Sequence, residues 1–182
     1  MAVKKVTDLD ALTDAAKGDL LMVVDVSDTT DSDEGTSKKI TTTNLASALK
    51  TKTIINGSFF DNTVRNVYLP VGNTETEYTS LQRSNKLCMP YAGTLLKVML
   101  RHEFTAPTSG DLTLTLREVT LSNTVTDKES ITVTPTYSSR METTFTFTSA
   151  AGMAAGKTFA FYLENDMNVG LGNVSFSIVI EQ

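Results

Sequence analysis

Asp111 to Val119 reads DLTLTLREV, and its alternation decides the fold. Leu112, Leu114 and Leu116 fall on one side of an extended chain, with Thr113, Thr115 and Arg117 on the other. Successive side chains of a strand point to opposite faces, so a period of two sends the leucines to a core and the threonines to water. The stretch predicts a half-buried strand of an antiparallel sheet, the kind with one packed and one solvated face.

The same period recurs on both sides. TLLKVMLRHEF (residues 94–104) puts Leu96, Val98, Leu100, His102 and Phe104 on one face, and Leu95, Lys97, Met99, Arg101 and Glu103 on the other. VSFSIVIE (174–181) sets Val174, Phe176, Ile178 and Ile180 together, and TTFTFT (143–148) aligns Phe145 with Phe147. TIINGSFF, VRNVYLPV, SITVTP and KTFAFYLE read as further strands, with APTSGD as a turn and Pro90 and Gly93 separating two strands. About eight to ten strands at this spacing predict a sandwich or barrel. No long helical pattern lies between them, which argues against a parallel α/β fold. Residues 51–182 are therefore expected to form a mainly β, antiparallel, jelly-roll-like β-sandwich, with an immunoglobulin-like sandwich as the alternative.

Residues 1–50 follow another pattern. Val6, Leu9 and Leu12 have helical spacing, ended by Gly18. DLLMVVDVSD (19–28) and TSKKITT (36–42) read as two strands joined by an acidic loop, and TNLASALK (43–50) as a short helix capped by Thr43 or Asn44. This small N-terminal module of hairpin plus short helix cannot bury its apolar residues alone. They are expected to pack on the larger domain or on a neighbouring chain.

Composition excludes several functions. The net charge is -5 and the lysine pairs 4–5 and 38–39 sit among acids, so no basic surface for nucleic acid is expected. The N-terminus lacks the apolar run of a secretory signal, and no stretch is long enough for a transmembrane helix. A soluble protein made in the cytosol is expected. Cys88 is the only cysteine and His102 the only histidine, so neither an internal disulfide nor the usual zinc sites can form.

Candidate sites weigh little against plain structural readings. His102 has no GxSxG serine and reads as a strand histidine at the core edge. The acids Asp28, Asp31, Asp33 and Glu34 miss the EF-hand spacing, because position 41 is threonine; they read as a hairpin tip facing Lys38 and Lys39. Glu75/Glu77 and Glu164/Asp166 are the carboxylate pairs a glycosidase would need, but both fall in loop-like segments. AAGMAAGK (150–157) lacks P-loop spacing and reads as a small-residue loop. Cys88, beside Met89 in an apolar strand, is expected to be buried.

One pattern is more specific. DLDAL (8–12), GDLLMVVDVSDTT (18–30), Gly35, TSKKIT (36–41) and NLA (44–46) closely resemble the N-terminal segment of virion structural proteins of tailed bacteriophages, where similar segments carry fibre, head-decoration and tail proteins alike. MPYAGTLLKVMLR (89–101) is similar to the start of β-rich fibre or decoration domains. The resemblance implies a non-enzymatic virion component, a capsid decoration or short fibre protein. Residues 1–50 would be the attachment module and 51–182 the exposed domain, commonly in a homotrimer. Its partners would be other virion proteins of capsid or tail, with no nucleic acid, membrane, cofactor, metal or catalytic residue involved. The attachment interface would use Leu9, Leu12, Leu20, Leu21, Val23, Ile40, Leu45 and Leu49. The alternative is a tail-fibre or receptor-binding module recognising a host surface glycan or protein.

Overall fold

The structure is a computed structural model that describes residues 20–30, 36–42, 44–45, 49–60, 66–72, 77–103 and 105–182. The chain divides into two compact units, Met1–Lys50 and Thr51–Gln182.

In the first unit, β1 (Leu20–Asp25) and β2 (Thr36–Thr41) pair as an antiparallel hairpin. Leu21 lies opposite Ile40 and Val23 opposite Lys38, so these four share one face. Thr42, Asn44 and Leu45 are helical, and the Leu49 amide donates to the Leu45 carbonyl at 3.0 Å. The capping oxygen is that of Thr41, whose Oγ1 accepts from the Asn44 amide at 3.1 Å. The cap thus precedes the expected Thr43 or Asn44, because the turn begins on the last strand residue. The predicted helix carrying Val6, Leu9 and Leu12 lies outside the described residues.

The second unit is mainly β. Its strands are β3 (Lys52–Phe59), β4 (Val67–Tyr68), β5 (Leu87–Cys88), β6 (Gly93–Glu103), β7 (Leu112–Val119), β8 (Val125–Val133), β9 (Arg140–Thr146), β10 (Gly152–Met153), β11 (Thr158–Asn165) and β12 (Val174–Glu181). They make two antiparallel sheets. In the first, β3 pairs with β12, β12 with β6, and the far edge of β6 takes both β9 and β10. In the second, β8 pairs with β7, β7 with β11, and the far edge of β11 takes β4 and β5.

Inward side chains of both sheets form one apolar cluster. Leu95, Val98, Leu100, Phe176 and Ile178 come from the first sheet, and Leu112, Leu114, Leu116, Phe159, Phe161 and Leu163 from the second. Burying each such side chain contributes about 1.5–3 kcal/mol, which is what holds two sheets of alternating strands face to face. The leucines of the 111–119 stretch are all in this core, as the alternation predicts. The turn before β7 needs Gly110. Its φ is +98°, and an added Cβ would lie 2.2 Å from the Asp166 carbonyl oxygen.

Four local readings are corrected. On β6 the ladder to β12 skips Leu96: Val179 pairs with Lys97 and Ile180 with Leu95. This bulge shifts the inward phase by one, so Leu95 is fully buried and Leu96 only partly. β8 begins at Val125, well before SITVTP, because its first half is exposed and polar and has no apolar period to detect. The small-residue loop contains a short strand, β10, held on Thr94 and Gly93 of β6. Cys88 is exposed rather than buried, since its β5 position turns outward and leaves burial to Met89.

Candidate functional site

The two sheets differ on their outer faces. On the sheet β8-β7-β11 that face is covered. Tyr68, Val119 and Ala160 are buried there, with Leu81 and Tyr162 packed against them. Arg117 locks the cover in place. Its guanidinium carbon lies 3.7 Å from the Tyr162 ring centre and 5.7 Å from that of Tyr68. Nη1 donates to the Tyr68 hydroxyl at 2.9 Å and Nε to Asp127 Oδ1 at 2.7 Å. A bulge in β8 makes this possible: Leu116 pairs with Glu129 but Arg117 with Asp127, which skips Lys128. Burial works against the charge of Arg117, yet the hydrogen bonds to Tyr68 and Asp127 outweigh it and raise its pKa above the ordinary value. The arrangement is a clamp that ties β8, β7, β11 and β4 together across the outer face of their sheet.

The outer face of β3-β12-β6-β9 is open. Register places its outward residues in rows: Asn56, Ser177, Met99 and Thr144 in one, Ser58, Ser175, Arg101 and Glu142 in the next. Serines in the middle leave a trough between longer side chains. Its central part has a volume of about 350 Å³ and is lined by both rows. A second hollow of about 290 Å³ adjoins it at Ser175 and is lined by Ser58, Phe60 and Asn173. Met99 and Phe60 expose 40% and 54% of their surface, so apolar area stands beside the hydroxyls.

The floor is pre-ordered. Ser177 Oγ donates to Asn56 Oδ1 at 2.7 Å, which fixes the orientation of the amide. Arg101 and Arg140 both approach Glu103 Oε1 at 3.6 Å, while Arg101 also sits opposite Glu142 on β9. The trough therefore carries both signs of charge in balance. Its lining has hydroxyls, an amide, a guanidinium and a carboxylate, a set suited to hydrogen bonding. Inward of it, His102 is fully buried, with Nε2 3.5 Å from Thr143 Oγ1. Burial lowers its pKa from 6.5 to about 4.

The candidates from sequence lie elsewhere. His102 is on the inward face of β6 as its period indicates, deeper than a core edge. In the acidic loop, Asp28 accepts from the Thr30 amide at 3.1 Å and from the Thr30 hydroxyl, and pairs with Lys38 at 2.8 Å. Lys38, then Thr30, hold its carboxyl well below the usual range. Asp31, Asp33 and Glu34 lie outside the described residues, as does Glu75. Glu164 lies on β11 opposite Thr113 rather than in a loop, and Asp166 follows the strand end. Among the expected attachment residues, Leu21, Val23 and Leu49 are exposed, and Ile40 and Leu45 are half-buried. Leu9 and Leu12, and the side chain of Leu20, lie outside the described residues.

Sequence reasoning missed the trough. Its signal was present in the outward positions: Ser175 and Ser177 on one strand, Asn56 and Ser58 on another, all short and polar. Only the pairing of the first predicted strand with the last places them side by side. No protein-family model matches the chain, and no curated protein matches it.

Proposed function

We propose that this chain is a non-enzymatic structural component of a tailed-phage virion, a capsid decoration or short fibre protein. Residues 1–50 attach it to other virion proteins of capsid or tail, and residues 51–182 form an exposed jelly-roll domain, three copies assembling together. The observation that carries the reading is the hairpin of the first unit. It displays Leu21 and Val23 at 38% and 40% exposure, within the segment that resembles phage attachment sequences. A two-stranded hairpin is marginal by itself in water, and an apolar face on it is stabilised by a partner surface.

The strand order supports the jelly-roll part. β3 pairs with β12, β4 and β5 with β11, β6 with β9, and β7 with β8. Those are the nested pairs of one long antiparallel hairpin rolled up, with consecutive strands passing between sheets. Viral capsid and lectin domains are built this way, although the fold alone assigns no function. The open trough favours a second reading, a tail-fibre or receptor-binding module.

Deletion of residues 1–50 tests the proposal. The truncated chain should be absent from purified particles while remaining a cooperatively melting β-domain. Incorporation at the wild-type level would end the attachment reading.

A further inference from the structure

We infer that the open face of β3-β12-β6-β9 is a saccharide-binding site, with Asn56, Ser175, Ser177, Arg101 and Glu142 as its polar contacts and Phe60 as its apolar one. The inference takes from the proposed function only that residues 51–182 face outward from the particle.

A sugar ring presents hydroxyls around its rim and C–H groups on its faces. It is bound by a bed of small hydrogen-bonding groups, some charged groups able to take two hydroxyls at once, and an apolar surface for the C–H face. The trough supplies each. Ser175, Ser177 and Asn56 make the bed, with the Asn56 amide already oriented by Ser177. Arg101 and Glu142 face each other across β6 and β9 and offer donors and acceptors at one side. Met99 and Phe60 provide the apolar surface. The two hollows, of about 350 and 290 Å³, share Ser175 in their linings and together suit a short oligosaccharide rather than a single ring.

Other ligands fit worse. A nucleic acid would need uncompensated cations, and here Arg101 and Arg140 share Glu103. A peptide added as a strand would need a free sheet edge, whereas the trough lies on the face over fully paired β12 and β6. Position agrees as well. Thr51 and Gln182 hydrogen-bond each other at 3.0 and 2.9 Å and mark the end of the sheet where the chain enters from residue 50. Phe60 and Asn173 mark the opposite end, about 30 Å away along β3 at ~3.3 Å per residue. The trough opens toward that remote end.

The full-length chain should be applied to a printed array of bacterial O-antigen, capsular and cell-wall oligosaccharides, and retained sugars followed by saturation-transfer NMR. At least one saccharide should be retained above an inert-protein control. Ser175→Trp, which fills the trough from an exposed strand position, should weaken it at least about tenfold, a loss of about 1.4 kcal/mol. Arg101→Ala and Phe60→Ala should each weaken it several-fold, with melting curves unchanged. Retention of no sugar would overturn the inference. So would binding unaffected by both Ser175→Trp and Arg101→Ala, since the sugar would then sit elsewhere. Arg101→Ala carries the test if Ser175→Trp does not fold. Particle incorporation is scored separately: a chain that binds sugar but is missing from particles refutes the virion reading alone, and the converse refutes only the saccharide site.

Discussion

His102 should make the protein acid-sensitive, and the size of the effect follows from its burial. The imidazole is fully buried on the inward face of β6, and desolvation lowers its pKa from 6.5 to about 4. Above pH 6.5 it is neutral in both folded and unfolded chains and adds no pH dependence. Between pH 6.5 and about 4 only the unfolded chain takes up the proton, so stability falls as pH falls. Below about 4 both states are protonated and the penalty stops growing. At 1.36 kcal/mol per pH unit the full loss is roughly 3 kcal/mol, on the order of 10 °C in melting temperature for a domain of this size. The carboxyl groups of Glu103 and Glu142 lie close by on the outer face of β6 and β9, so acid alone does not isolate His102. His102→Leu does: it removes the imidazole and leaves the flanking carboxylates. Urea unfolding of both proteins from pH 7.5 to pH 3.5 should show the wild type losing roughly 3 kcal/mol more than the variant, with the divergence starting near pH 6.5. Parallel profiles, agreeing within about 1 kcal/mol, would show that His102 does not stay neutral in the folded protein.

Two further substitutions probe the packing that frames the two outer faces. Gly57→Ala would put a Cβ 2.3 Å from Cζ of the buried Phe176 ring. Overpacking of about 1–3 kcal/mol should then exceed the about 0.5–1 kcal/mol that alanine regains over glycine in a strand, lowering the urea midpoint. A midpoint unchanged or raised would mean the ring moves freely. Arg117→Lys keeps the charge but loses the stack on Tyr162 and the fork to Tyr68 and Asp127, and should cost about 1–3 kcal/mol in thermal unfolding. A variant as stable as wild type would show that the clamp does not hold β4 down.

Much of the second unit was legible because it follows one rule. Leu112, Leu114 and Leu116 in DLTLTLREV, and Val174, Phe176, Ile178 and Ile180 in VSFSIVIE, are each two residues apart, and all are in the core. The rule failed where the chain departs from strict pairing. The bulge at Leu96 flips the phase between two adjacent leucines, and no side-chain property separates Leu95 from Leu96. The first half of β8, VTDK, is exposed on both faces, so it is held by its ladder to β7 and carries no hydrophobic period. Cys88 was misread because a two-residue edge strand leaves too little pattern to say which residue turns inward.

The candidate site was hidden for a different reason. Both sheets alternate equally well, so the sequence marks each as having one wet face, yet the two wet faces end up unlike. On one, Arg117 projects from β7 where Thr113 and Thr115 precede it, and its length and charge draw in Tyr68, Tyr162 and Asp127. Chain from between β3 and β6 then covers that face, burying Tyr68 and Ala160. On the other, the half of the central strand β12 that underlies the trough offers Ser175 and Ser177, which are too short to recruit a cover. The longer residues Arg101 and Glu142 stand to one side of them, so the face stays open and becomes a trough. The asymmetry thus comes from side-chain length at a few outward positions rather than from hydropathy. Lengthening Ser175 should erase the trough and breaking the clamp at Arg117 should not, which separates the groove that binds from the face that holds the fold together.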